Sequence, residues 1–489
     1  MSLPPHRFRV PAALILALPV LAQAPEGDLA ERLFRSGERA YSAKSHKEAI
    51  DTWGQLLQSS PRSEFAPMVL LRLARHELEV ERRPAAALPH LDRLRNEYIK
   101  SPEAAEGLLL RGQLLALQAR RPGELKDAMA EFNRILDLFP ASPACAAARL
   151  ELGRAWRDQG QWARALQSFT DAFRLHAGSA AAPAAMLEAA ESLDRLGDLP
   201  GCLRLLQRVA QGEASQGPLA AEAAWRLAVR VRHRLQKPPL RNEGPWPAGR
   251  TKWLKTPTLL ATGAQGDLFL FQNDLDRAFR LQGGEPVPAG GPAAGTRVLI
   301  PTPAGGLWMA SKGALVKDEG GTLPLGTLTS VSGAALDRWG TLWVADSRTP
   351  ALTLFPAEGA PRTVACPTVH ALVALGGGGF VAAADGDRKL LFLDGEGQPR
   401  FMVPYGKDLP APFRTVTALA SDGAGHVAAL VDGGDWGEGV VVFGPDGAVL
   451  RFATLKALGI TGRITSLALD RSGGILLCDR RNDLLIRLS

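Results

Sequence analysis

Four aspartates, Asp346, Asp385, Asp432 and Asp479, each close a short apolar run in the second half of the chain. Carboxylates recurring this way suit one of two tasks. A ring of them around the mouth of a closed fold would bind a cation or a basic partner. Alternatively, each caps a turn by accepting backbone N–H bonds. Structural duties repeat with a repeating unit whereas a site breaks its symmetry, so turn capping is the expected role. His370 and His426 lie on or beside the same kind of run, but the eight histidines are scattered. No pair has helical metal spacing, and there is no phosphate loop and no nucleophile elbow. Cys145, Cys202, Cys366 and Cys478 form no short-spaced pair and are expected as buried free thiols. No catalytic residue, metal or cofactor is assigned, and the chain is not expected to be an enzyme.

Elements that position these residues come in two kinds. Ala49, Ala87, Ala128, Ala165 and Cys202 are spaced 38, 41, 37 and 37 apart, and four residues after each stands Trp53, Leu91, Phe132, Phe169 or Leu206. A further apolar residue at i+7 completes one face of the same helix in each unit, which predicts a solenoid of helical hairpins. Residues 26–235 are assigned to it, as about five hairpins with a capping helix from Pro218 to Leu235 that carries Trp225. A Pro-rich linker is expected over 236–250.

From 251 to 489, apolar runs alternate with turns at Gly266, Gly306, Gly340, Gly379, Gly425 and Gly474, spaced 40, 34, 39, 46 and 49 apart. Six such units predict a six-bladed β-propeller. The last unit stops after its third strand, and Thr251–Leu254 is expected to supply the fourth and close the ring.

The segment Leu152-Gly153, Trp156, Gly160, Trp162, Ala165, Phe169, Ala172 resembles the tetratricopeptide pattern. Its long Ser-Pro connections are similar to those of cell-envelope tetratricopeptide proteins. The second half resembles NHL-type and streptogramin-lyase-like propellers, whose central-funnel residues cannot be matched here position by position. The fold class expected is therefore an all-α tetratricopeptide solenoid followed by an all-β propeller. By the resemblance, first helices line a concave groove, which makes Phe34, Tyr41, Arg154, Arg157, Glu191 and Asp194 candidates for holding a partner. A groove role and a solvated helix face both stay open for them.

Arg7 and Arg9 precede an apolar stretch from Val10 to Ala22, so residues 1–22 read as a signal peptide cut after Ala22. No other stretch is long enough to span a bilayer. The net charge of +7 falls entirely in the first 250 residues, too diffuse for nucleic-acid binding. The expected function is an exported, periplasmic or secreted adaptor that holds envelope proteins or peptides in its solenoid groove, with the propeller face as a further surface. The alternative is a propeller enzyme or small-molecule binder with a helical docking arm.

Overall fold

A computed structural model describes residues 26–212, 217–248, 253–263, 266–290, 292–311, 313–317, 320–357, 359–376 and 378–489. The expected signal peptide lies outside these residues. Two compact units divide the chain after Gly107. The first contains helices α1 (Glu26–Ser42), α2 (His46–Ser59), α3 (Ala66–Glu79) and α4 (Pro84–Glu97), and the division falls within α5 (Pro102–Gln118). The second contains α6 (Lys126–Leu138), α7 (Ala144–Asp158), α8 (Trp162–Leu175), α9 (Ala182–Arg195), α10 (Leu199–Gln211) and α11 (Pro218–Arg230), followed by the propeller. After α11 the chain continues as a π-helical turn, Val231–Gln236.

The repeat pattern is a packing rule. All five small residues of the ladder are fully buried, and the large residues four positions on are at most 1% exposed. Three of the hairpins gain their closeness from glycine on the first helix. A Cβ on Gly37 would lie 2.2 Å from Trp53, on Gly112 2.5 Å from Phe132, and on Gly153 2.4 Å from Phe169. Aromatic volume on one helix therefore fills the space a missing side chain leaves on the other. Each buried aromatic contributes about 1.5–3 kcal/mol of transfer free energy. Gly160, with φ +71°, ends α7 in the left-handed region and turns the chain into α8.

Six four-stranded antiparallel sheets form the propeller blades. Their inner strands are Pro257–Thr262, Val298–Pro301, Val331–Leu336, Ala371–Ala374, Thr415–Ser421 and Ile464–Leu469, for blades one to six in chain order. Blade six is completed by Asn242–Pro245, paired antiparallel to Leu484–Leu488 with Asn242 opposite Leu488. This corrects the expectation that Thr251–Leu254 closes the ring. Thr251 and Lys252 lie outside the described residues, and Leu254 is buried with Trp253 against it in the core between blades six and one. The apolar character that suggests a strand there serves as a plug. Asn242 marks the true closing strand: its Nδ2 donates to Leu458 O at 3.1 Å and its Oδ1 accepts from Gly244 N. All four cysteines are free and buried. Among the described residues no helix is long and apolar enough to cross a membrane.

Candidate binding site

Within the second unit, α9 and α11 lie against the turns that join the first and second strands of blades five and six. Arg230 is fully buried there. Its Nη2 meets Glu191 Oε2 at 2.6 Å, its Nε meets Asp194 Oδ2 at 2.7 Å, and Nη2 also reaches the Ala424 carbonyl at 3.4 Å. Arg234 pairs with Asp194, and Arg195 with Glu191 at 3.3 Å. Burial alone would raise the Glu191 carboxyl, but Arg230, Arg195 and Arg226 overcome it and hold it down to about 2. Bare backbone makes the approach possible. A Cβ on Gly423 would stand 2.9 Å from the Trp225 ring, and one on Gly425 would stand 3.0 Å from the Arg195 guanidinium.

One turn further on, His233 is buried with its ring 4.9 Å from that of His426, whose Nδ1 bonds Asp422 Oδ2 at 2.8 Å. Burial and the neighbouring His426 push His233 down to about 3, so it is neutral at ordinary pH. Arg232 donates to the Ser472 carbonyl at 3.0 Å, and a Cβ on Gly473 would collide with His233. These contacts form a dry, charge-matched seam between helices and propeller.

Beside the seam lies an open cleft of about 1160 Å³. The tip between α7 and α8 supplies Trp156, Arg157, Asp158 and Trp162, and α6 supplies Lys126 and Met129. Facing them are Arg338, Trp339, Phe380 and Arg400 of blades three and four. Arg338 pairs with Asp158 and lies 4.3 Å over the Trp339 ring. Burial first, and then the nearby Arg157 and Arg154, lowers its pKa. Trp162 carries Arg195 and Arg400 at 5.6 and 6.0 Å from its ring centroid, and its buried Nε1 has no hydrogen-bond partner among the described residues. Asp337 and Asp394, on the same wall, accept the backbone amides of their own turns. Such a surface offers aromatic faces and guanidinium donors to a partner.

The propeller channel, about 460 Å³, is lined by all six inner strands and reaches Trp225, Arg338 and Arg471 at its helix-side mouth. Four of its hydroxyls are engaged with neighbouring blades. Ser332 donates to Val369 O at 2.5 Å, Ser421 to Ala374 O at 2.5 Å, Thr262 to Leu469 O at 2.7 Å and Thr465 to Thr258 O at 2.8 Å. They act as clips between blades. Among the described residues no group of three or more His, Cys, Asp or Glu has the arrangement to hold a metal.

The aspartates singled out from sequence sit at the far ends of the second strands. Asp346 accepts from Ser330 N and Arg348 N, Asp385 from Tyr405 Oη and Val416 N, Asp432 from Gly434 N, and Asp479 from Arg463 N and Arg481 N. Burial and the bond to Asp385 raise the Tyr405 phenol strongly, and His370 Nδ1 is 3.7 Å from Asp385. His426 belongs to the seam. In the first unit, Phe34 stacks on Phe65 with centroids 5.0 Å apart, and Tyr41 packs on Trp53 and bonds His76 at 3.4 Å. Arg154 and Arg157 share Glu188, while Arg157 also reaches the cleft. Glu191 and Asp194 are buried partners of Arg230, so the structure presents neither at an open groove surface. Within the second unit, Arg157 therefore reaches the cleft while Glu191 and Asp194 are taken up by the seam.

Sequence alone does not single out Arg230, Trp339 or Arg400. A signal exists for one: Trp339 puts a large aromatic at the tip of a blade turn where Asp422-Gly-Ala-Gly and Asp394-Gly-Glu-Gly have small or polar residues.

No family model matches the chain, and no curated protein matches it by sequence. Solved structures match parts of it. Virginiamycin B lyase from Staphylococcus aureus is 13% identical over 49% of this chain and 82% of its own, with a TM-score of 0.35. A tetratricopeptide protein of Thermus thermophilus is 19% identical over 40% of this chain and 97% of its own, with a TM-score of 0.29. PilF of Pseudomonas aeruginosa is 18% identical over 42% of this chain and 85% of its own, with a TM-score of 0.33.

Proposed function

We propose that this protein is a non-enzymatic adaptor of the bacterial cell envelope, exported through its first 22 residues, that holds a protein partner for envelope assembly or secretion. The observation that carries the binding role is the cleft between the α7–α8 tip and blades three and four, where Trp156, Trp162, Trp339 and Phe380 meet Arg157, Arg338 and Arg400. Tryptophan and arginine dominate binding energy at protein interfaces because each covers a large area and adds a directed polar contact. The seam supports the same reading, since it fixes both walls of the cleft before a partner arrives and so lowers the ordering cost of association. Export rests on the Arg7–Ala22 pattern.

Two measurements test the proposal together. N-terminal sequencing of the protein from an envelope fraction should begin at Gln23, and an intact Met1 there contradicts export. Quantitative capture from envelope extract should recover a defined partner with wild type and not with Trp339→Ala. Equal recovery by both removes the cleft from the function.

A further inference from the structure

The propeller channel carries apolar side chains along its wall. Leu259, Val298, Val373 and Leu419 are half-buried side chains on the inner strands of four different blades, and all line the cavity. Four of the hydroxyls that line it, those of Thr262, Ser332, Ser421 and Thr465, are taken up by carbonyls of neighbouring blades. An apolar wall inside a cavity with charged groups at its mouths suits a ligand that has an apolar body and a polar end. At about 460 Å³ the channel falls within the range of small-molecule sites, roughly 300–1,000 Å³.

Its two mouths are unlike. At the helix side, Trp225 of α11 packs against Gly423 with the Arg471 guanidinium 5.7 Å from its ring centroid. At the other end, the residue just before each inner strand is Thr256, Arg297, Ser330, His370, Arg414 or Arg463. Four of these six equivalent positions carry Arg or His. Arg297 lines the channel, is exposed, and has no ion-pair partner among the described residues. The carboxylates behind this rim, Asp346 and Asp479, accept the backbone amides of Ser330 and Arg463 and keep their oxygens turned to the turns.

We propose that the channel binds a single-chain amphiphile of the fatty-acid class, its acyl chain along Leu259, Val373 and Leu419 toward Trp225 and its anionic head at Arg297. The channel meets the cleft at Arg338, but the head site at Arg297 and the wall residues Leu259, Val373 and Leu419 belong to the channel alone, so a test of ligand binding reads the channel and not partner capture. The apolar wall supplies affinity through buried area, and the guanidinium supplies the preference for a charged head through a charge-assisted hydrogen bond. A free fatty acid and an anionic lysophospholipid share this chemistry.

The test uses the full chain and displacement of a dansyl-labelled undecanoate probe. Laurate should displace it, butyrate should not, and dodecanol should displace it about ten-fold more weakly than laurate. Lauroyl lysophosphatidylglycerol is run in parallel: whichever anion displaces the probe at lower concentration identifies the source of the chain. Arg297→Ala should bring laurate down to the level of dodecanol. Val373→Trp and Leu419→Trp, which fill the channel away from the rim, should each abolish probe binding while near-UV circular dichroism shows a folded propeller. The proposal is overturned if the probe does not bind wild type, if Arg297→Ala leaves the laurate preference intact, or if a folded channel-filling variant binds the probe as wild type does.

Discussion

Seam and cleft lie on the same face of the propeller but use different helices, α9 and α11 at the seam and α6 to α8 at the cleft, and they treat charge and aromatic surface in opposite ways. At the seam, Arg230, Glu191 and Asp194 are buried and satisfy one another, and His233 is held neutral against His426. A few residues away, Arg400 is exposed and Trp156 and Trp339 are half-buried around an open volume. The first arrangement fixes orientation; the second leaves it to be used. Burying an ion pair gives little net stability because desolvation offsets the attraction. The seam therefore sets where α9 and α11 sit, and the cleft inherits a fixed shape from that placement.

The largest expected effect comes from breaking the seam. Arg230→Ala takes the shared guanidinium from two buried carboxylates, leaving Glu191 with Arg195 and Asp194 with Arg234, and should cost about 3 kcal/mol of stability in denaturant unfolding. Replacing all three with apolar residues (Arg230→Met, Glu191→Leu and Asp194→Leu), in a background where Arg195→Met removes the buried cation that Glu191 pairs, should recover most of that loss. Orientation of the helices on blade five should then relax, which amide exchange across 423–425 reports. A triple variant as unstable as Arg230→Ala shows that the charges themselves, not the unpaired remainder, carry the stability.

A smaller effect separates His233 from its neighbours. Folded, it takes a proton only near pH 3, whereas unfolded it does so near 6.5. Between those values the unfolded chain binds more protons, so stability is full above about 6.5 and declines as pH falls. Glu191, lowered from 4.5 to about 2, contributes in the same direction, but only below about 4.5. His233→Leu should therefore flatten the fall of Tm between pH 6.5 and 4.5 and leave the steeper loss at lower pH. An unchanged slope in the upper window contradicts a neutral, buried His233.

Sequence and structure agree where the determinants are local. Gly153 and Phe169 lie within one hairpin, so their spacing carries the packing rule, and the turn glycines mark the blades for the same reason. The seam joins Arg230 to Glu191 39 residues back and to Ala424 194 residues ahead. No periodicity links such positions, and a charged residue in a helix reads as solvated until its partners are known. The closing strand is misread from sequence for a related reason. Trp253 and Leu254 look like a buried strand, while Asn242-Glu243-Gly244-Pro245 looks like a linker; only the pairing to Leu484–Leu488 distinguishes them. Glu191 and Asp194 do stand out in the sequence, but their charge is directed inward to Arg230.

The smallest effect on stability belongs to the cleft: Trp339→Ala removes a half-buried side chain and should change stability by no more than about 1 kcal/mol, while lowering partner affinity by about ten- to a hundred-fold. Folding and binding thus separate at Trp339, and site-specific photo-crosslinking in the native host reads the binding side alone. A photoreactive phenylalanine analogue at position 339 should give a discrete crosslinked partner, and the same analogue at position 402, where exposed Met402 lies on the fourth strand of blade four, should not. A partner captured from position 402 and absent at position 339 would contradict the account and move the binding surface to the outer edge of the propeller.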